Sequence, residues 1–220
     1  MAKYNLVIFD CDGTLVVSEE INNKAISNAT KKIGLTGYNP DICLQKFRGL
    51  GSEQIIKILN AEHGANIDEQ AFIEAIIENA AFLRSEIRAV ENAEHVLRQI
   101  NIDKCVVSNG ERESVIATLE QNNLLSFFGI DNIFTRSITE QPKPAPDMFL
   151  RAAKKFTCAA NKAIVIEDSE AGVRAAKAAG MQVIGFVGTA IITERRTKKL
   201  LDAGADYIVS NISEVLKIIN

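Results

Sequence analysis

Asp10 and Asp12 stand two residues apart at the end of an apolar run, Leu6-Val7-Ile8-Phe9, and are followed at once by Gly13-Thr14-Leu15. Two carboxylates at that spacing can divide one reaction between them, one attacking while the other gives and takes protons. Side chains alternate along an extended strand, so both acids point the same way provided the strand persists past Phe9. Gly13 then lets the backbone turn away, because it tolerates dihedrals that a Cβ disfavours. An acidic turn closing a strand accounts for one Asp-Gly pair. It does not account for a second acid on the buried side, where an unpaired charge is costly.

Two further clusters follow apolar runs in the same way, and a third is set between prolines. Ser108-Asn109-Gly110 comes after Val106-Val107, and Glu167-Asp168-Ser169 comes after Ile164-Val165-Ile166. Lys143 lies in Pro142-Lys143-Pro144-Ala145-Pro146-Asp147, where proline on both sides fixes the local backbone and aims the ammonium. Ser108 and Asn109 suit a helix N-cap as well as a binding turn, and Asp168 or Ser169 alone suits a helix N-terminus. The company of four acids, Asp10, Asp12, Glu167 and Asp168, is harder to explain that way. Crowded carboxylates raise one another's pKa unless a cation neutralises them, and a hard divalent ion such as Mg2+ prefers a few carboxylates plus water and phosphate.

The elements that must position these groups fall into two patterns. A first apolar strand is followed by a stretch, residues 17–87, that reads as helix. Ile55, Ile56 and Leu59 share one face between Ser52 as N-cap and Gly64 as stop, and Phe72, Ile76, Ala80, Leu83 and Ile87 recur at spacings of four and three behind Asp68. From residue 88 helices alternate with short apolar runs, Lys104–Val107, Asn132–Phe134, Ala163–Ile166 and Gln182–Gly185, which predicts βαβ crossovers and a doubly wound parallel sheet. Ligands bind such sheets at the carboxyl ends of the strands, where each cluster falls.

Composition narrows the possible partners. The 220 residues carry a net charge of −3, with 25 Lys and Arg scattered among 28 Asp and Glu, so there is no basic field for nucleic acid. The four cysteines, Cys11, Cys43, Cys105 and Cys158, form no CxxC pair; they are expected to be small core residues in a reducing compartment, two of them inside strands. Met1-Ala2-Lys3 lacks the regions of a signal peptide, and no apolar stretch approaches the ~20 residues of a membrane helix. A cytoplasmic protein with a small-molecule ligand, no membrane partner, and a monomeric or weakly dimeric state is expected. His63 and His95 are expected to be ordinary helix residues, and Gly49-Leu50-Gly51 is no dinucleotide fingerprint.

Asp10-Cys11-Asp12-Gly13-Thr14-Leu15 resembles the first motif of the haloacid dehalogenase superfamily of phosphotransferases; Ser108-Asn109-Gly110, Lys143 and Glu167-Asp168 resemble the second, third and fourth. The resemblance implies a Rossmann-like α/β core, residues 1–16 and 88–220, with residues 17–87 as an inserted α-helical cap. It implies Asp10 as nucleophile, Asp12 as acid and base, and a phosphoryl group held by Ser108, Asn109 and Lys143. The metal would be held by Asp10, the Asp12 backbone carbonyl and Asp168, with Glu167 a direct or an outer ligand. Arg48, in Phe47-Arg48-Gly49-Leu50, is a candidate for gripping substrate through its planar fork, and equally a solvated side chain.

Within that superfamily the presence of Asp12 argues against the dehalogenase and phosphonate branches, which lack the second acid. The segment Ala61-Glu62-His63-Gly64 is similar to that of bacterial phosphatases acting on 6-phosphogluconate and related sugar phosphates, so hydrolysis of a small sugar or sugar-acid phosphate is the expected activity. A β-phosphoglucomutase-like phosphomutase is the alternative; the mutase's hinge histidine, hinge threonine and cap arginine fall on Asn22, Ser18 and near Ser52, which favours hydrolysis. A non-catalytic sensor of a phosphorylated ligand is the second alternative, and Asp12 counts against it because binding has no use for a proton shuttle. Val17, where relatives usually carry an acid, and Glu91-Asn92, where they often carry Pro-Gly, depart from the pattern without touching the catalytic pair.

Overall fold

The computed structural model describes residues 3–47, 52–139, 141–189 and 193–219, with every side chain in them but that of Ala81. Six strands, β1 (Leu6–Phe9), β4 (Asp103–Ser108), β5 (Ile133–Thr135), β6 (Ala163–Glu167), β7 (Gln182–Phe186) and β8 (Tyr207–Val209), form one sheet in the order β5-β4-β1-β6-β7-β8. All its pairings are parallel. Numbered within the sheet alone, this is the 3-2-1-4-5-6 order of a doubly wound fold, whose direction of winding reverses between β1 and β6. The apolar residues of β1 do not alternate with polar ones because both faces of the strand are covered; Leu6, Val7, Ile8 and Phe9 are all fully buried.

Helices α5 (Ala93–Gln99), α6 (Arg112–Gln121), α7 (Asp147–Lys155), α8 (Glu170–Ala178), α9 (Thr193–Asp202) and α10 (Val215–Ile219) accompany the sheet. One face of the sheet packs Leu6, Ile8, Cys105, Val107 and Val165 against Met148 and Phe149 of α7 and Val173 and Ala176 of α8. Asn92, just before α5, has a φ of 66°, a left-handed conformation that asparagine tolerates better than most residues bearing a Cβ. This explains how the chain dispenses with glycine at that turn.

Two compact units divide the chain: residues 1–17 with 88–220, and residues 18–87. Within the first, β2 (Val16–Val17) and β3 (Arg88–Ala89) pair antiparallel in a two-stranded ribbon. The second contains α1 (Glu19–Lys32), α2 (Pro40–Phe47), α3 (Ser52–His63) and α4 (Glu69–Leu83), packed around Tyr38, Cys43, Phe47, Ile55, Leu59 and Phe72. Acids in the first turn of α1 and lysines in its last turn both favour the helix dipole. Asp68 accepts a bond from the Ala71 N–H at 2.8 Å, and Gly64 ends α3 with a φ of 59°.

Three sequence expectations need correction. The helical recurrence extended to Ile87, but α4 stops at Leu83, a 3-10 turn spans Arg84–Glu86, and Ile87 is extended. The chain must straighten there because the next two residues pair with Val16 and Val17. Ser52 is the first residue of α3, not a cap preceding it. Of the cysteines only Cys105 lies in a strand; Cys11 sits in the turn after β1 and Cys43 in α2, and all four are free. Both histidines lie in helices, and His63 Nε2 bonds Tyr38 Oη at 2.8 Å. Among the described residues, no helix is long and apolar enough to cross a membrane.

Phe149 ties the core to the chemistry above it, since its buried ring lies 5.3 Å from Lys143 Nζ. Phe149→Ala should lower the free energy of unfolding by about 3–5 kcal/mol, the range for losing a buried aromatic ring. Urea denaturation checks this: the midpoint should fall with the slope unchanged, and a midpoint near that of the wild type would show that the ring is not part of the core.

Candidate active site

The site lies where the sheet reverses its winding. Phe9 and Ile166 are paired in register, and the Asp10 N–H donates to Ile166 O at 3.0 Å, one rung beyond the assigned strand. The residues leaving β1 and β6, Asp10 on one side and Glu167-Asp168 on the other, therefore emerge together. Extended geometry ends at Asp10. Cys11 O accepts from the N–H groups of Leu15 and Val16, at 2.9 and 3.1 Å, and Gly13 takes a φ of 83°. Asp12 is thus placed by a turn and not by strand alternation, so the condition on the expected pairing is not met; Asp10 is buried and Asp12 exposed.

Lys143 is the hub of the cluster. Its ammonium, on a buried side chain, donates to Asp10 Oδ1 at 2.7 Å, Glu167 Oε1 at 2.6 Å and Val107 O at 2.7 Å. Three acceptors match the three donors of an ammonium. Asn109 docks the lysine's backbone: its Oδ1 accepts from the Lys143 N–H at 3.0 Å, and its Nδ2 donates to Lys143 O at 3.2 Å. The loop after β4 therefore sets the position of the loop carrying Lys143.

Glu167, fully buried, is held from the other side. Its Oε2 accepts from the N–H and the hydroxyl of Ser169, at 2.9 and 2.8 Å, and that hydroxyl in turn accepts from the Gly172 N–H at 3.1 Å as the N-cap of α8. A Cβ on Gly172 would lie 1.7 Å from Glu167 Oε1, so only glycine lets α8 come this close. Asp168 Oδ2 and Asp168 O both accept from Arg196 Nη1, each at 2.6 Å.

The second loop meets Asp12. Ser108, buried, accepts from the Gly110 N–H through its Oγ at 3.0 Å. A Cβ built on Gly110 would lie 3.3 Å from Ser108 Oγ and 3.8 Å from Asp12 Oδ2, which places the Asp12 carboxylate beside that loop. Arg48 lies outside the described residues.

Charge and burial pull against each other here. Burial pushes the Asp10 carboxyl well above the usual range; Lys143 opposes it, and Glu167 and Asp168 add to it. Burial, then Glu167, push Asp168 up to about 7 against the opposing pull of Arg196, with Asp12 adding a further push. Burial alone would pull the Lys143 ammonium down, but Asp10 and Glu167 outweigh it and hold its pKa above the ordinary lysine value.

Oxygens of Asp10, Glu167 and Asp168, one from each, lie within 4.8 Å of one another. An all-oxygen, negatively charged donor set fits a hard divalent cation such as Mg2+. The Asp12 side chain is not one of this group, and its expected ligand atom is the backbone carbonyl. Sequence reasoning missed Arg196, which sits in the charged run Thr193-Glu194-Arg195-Arg196-Thr197-Lys198-Lys199 and resembles a solvated face. The available signal was its spacing of four from Leu200, which is fully buried.

A family profile described as haloacid dehalogenase-like hydrolase matches residues 7–186. The 6-phosphogluconate phosphatase of Escherichia coli (strain K12) is 33% identical over 187 residues, covering 84% of each chain. The validoxylamine A 7'-phosphate phosphatase of Streptomyces hygroscopicus subsp. limoneus is 29% identical over 96% of each. Among solved structures, a conserved haloacid dehalogenase-like protein of unknown function from Agrobacterium tumefaciens str. C58 superposes with a TM-score of 0.86 at 26% identity, covering 98% of this chain and 97% of that one. The chain belongs to the haloacid dehalogenase-like hydrolase family, and both named relatives are phosphatases.

The direction of the Asp168 shift fixes a pH dependence. Its carboxyl holds a proton more tightly folded, up to about 7, than unfolded, 3.8, so its contribution to stability is complete below about pH 4 and is lost as pH rises through about 7. In EDTA, the melting temperature of Asp168→Asn should therefore gain on that of the wild type between about pH 4.5 and 7.5. Excess Mg2+ at the upper pH should raise the wild-type value and leave the variant's nearly unchanged. A gap that does not move with pH would show that Asp168 titrates normally.

Proposed function

We propose that the chain is a Mg2+-dependent phosphatase that hydrolyses a small phosphorylated metabolite, a sugar phosphate or sugar-acid phosphate, through an aspartyl phosphate on Asp10. The observation that carries this reading is the buried cluster in which Lys143 joins Asp10 to Glu167, with Asp168 within cation-sharing distance of both. The named phosphatase relatives support the reaction class, and the 6-phosphogluconate phosphatase supports the substrate class. On this reading residues 17–87 are the inserted helical cap and the remainder is the catalytic core.

Asp10 and Asp168, with the Asp12 backbone carbonyl, would hold the cation, which supplies counter-charge to the phosphoryl oxygens. Glu167, whose oxygens already accept bonds from Lys143 and Ser169, serves chiefly to hold the lysine. In the first half-reaction a carboxylate oxygen of Asp10 forms a bond to phosphorus while the ester P–O bond breaks, and the Asp12 carboxyl gives its proton to the departing alkoxide. In the second, water attacks the phosphoenzyme and the Asp12 carboxylate takes its proton. The P–O bond to Asp10 breaks, freeing inorganic phosphate and restoring the aspartate. Ser108 and Lys143 stabilise charge on the equatorial oxygens throughout. The exposed position of Asp12 suits a group that must meet both an alkoxide and a water.

The test is a panel of sugar phosphates and sugar-acid phosphates with Mg2+, following released phosphate and isomerised sugar together. Net phosphate release supports hydrolysis, whereas isomerisation without release would make the chain a phosphomutase. Binding without turnover would make it a sensor. Asp10→Asn should abolish turnover, by at least about 10^3-fold, with the fold intact by circular dichroism. Asp12→Asn should slow it by about 10^2–10^4-fold, the usual contribution of a positioned acid and base.

A further inference from the structure

The segment after β7 braces two walls of the acidic centre. Thr189 Oγ1 donates to Gly13 O at 2.8 Å, and Arg196, in the first half of α9, reaches Asp168. A single guanidinium nitrogen, Nη1, donates to both the main-chain oxygen and Oδ2 of that one residue. Such a bridge between backbone and carboxylate fixes the side-chain torsions of Asp168. Gly13 closes on the same oxygen, since a Cβ there would lie 2.3 Å from Oδ2. Among the described residues no hydrogen bond falls on Oδ1. A second ion pair, Lys199 to Glu170 at 2.8 Å, ties α9 to α8, and the Arg196–Asp168 pair is itself largely buried, with side chains 18% and 13% exposed.

We propose that Arg196 is a positioning residue of the cation site: its bridge across Asp168 holds Oδ2 in place and presents Oδ1 as the oxygen that binds the divalent ion. This rests on the Mg2+-dependent reading above. Two effects of the arginine oppose each other. Its positive charge repels a cation and would weaken binding, while its grip on the ligand strengthens it. Partners that orient a metal ligand typically change affinity by 10–100-fold, and a carboxylate free to rotate loses its alignment with Asp10. Orientation therefore outweighs repulsion.

The two effects predict opposite signs for a neutral side chain of similar length. Arg196→Met should weaken Mg2+ binding by about 10–100-fold in calorimetric titration without substrate, whereas a purely repulsive arginine would make the variant bind more tightly. The Mg2+ concentration needed for half-maximal turnover should rise in parallel. Turnover at saturating Mg2+ should return to within about threefold of the wild type, because the bound ion itself can align a ligand that is no longer held. Arg196→Lys, which keeps a donor and the charge, should show a smaller loss than Arg196→Met and supplies a second variant should the first not fold. Unchanged or tighter Mg2+ binding in both variants overturns the proposal, as does weaker binding whose turnover no concentration of Mg2+ restores. A wild type that neither binds Mg2+ nor releases phosphate overturns the functional reading instead.

Discussion

The structure of the site depends on one buried ammonium shared by two carboxylates. Lys143 reaches Asp10 and Glu167 at 2.7 and 2.6 Å with its own side chain 3% exposed and that of Glu167 fully buried, so these two have no water to fall back on. Breaking such a group by removing one partner leaves an uncompensated buried charge, which is far more destabilising than the intact group is stabilising. The arrangement is therefore poor as a source of stability and good as a constraint. It forces three loops, those after β1, the one carrying Lys143, and the one after β6, into a single geometry. The third donor of Lys143, given to Val107 O, ties a fourth segment, the end of β4, to the same point.

That geometry follows from strand order. Parallel strands deliver their carboxyl ends to one edge of the sheet, and reversal of winding between β1 and β6 opens the crevice there instead of covering it with a helix connection. The sequence distance between Asp10 and Glu167 is bridged by a pairing of adjacent strands, Phe9 opposite Ile166. Gly172 completes the arrangement, because any side chain at that position would occupy the space of the Glu167 carboxylate. Helix α8 thus serves as a floor for the site as well as a crossover.

Much of this was legible in the amino-acid order, and what was not has physical reasons. The apolar runs of β1, β4, β6 and β7 announce themselves because strands buried on both faces are apolar along most of their length, and the polar residues stand out at their ends. The ribbon of β2 and β3, two residues each, is too short to show a period. Strand β8, three residues with two of them half-buried at the sheet edge, carries no continuous apolar signal. The placement of Asp12 was not legible because the strand geometry on which its alternation with Asp10 was conditioned gives way to a turn that Cys11 O organises. Arg196 escaped because its partner lies 28 residues away and nothing in a run of charged residues marks the one that turns inward.

The charges of the site explain why a divalent ion suits it better than a further side chain. Among the described residues, and with all four acids ionised, Asp10, Glu167 and Asp168 pair with two cations, Lys143 and Arg196, and Asp12 lies near them, which leaves two negative charges in excess. A third lysine would neutralise half of that and would need a buried stem with donors satisfied at a crowded point. A divalent cation neutralises all of it from a volume the size of a water molecule. Burial is the first cause of the upward displacement of Asp10 and Asp168, and the neighbouring carboxylates add to it; a divalent ion at this point would oppose both effects.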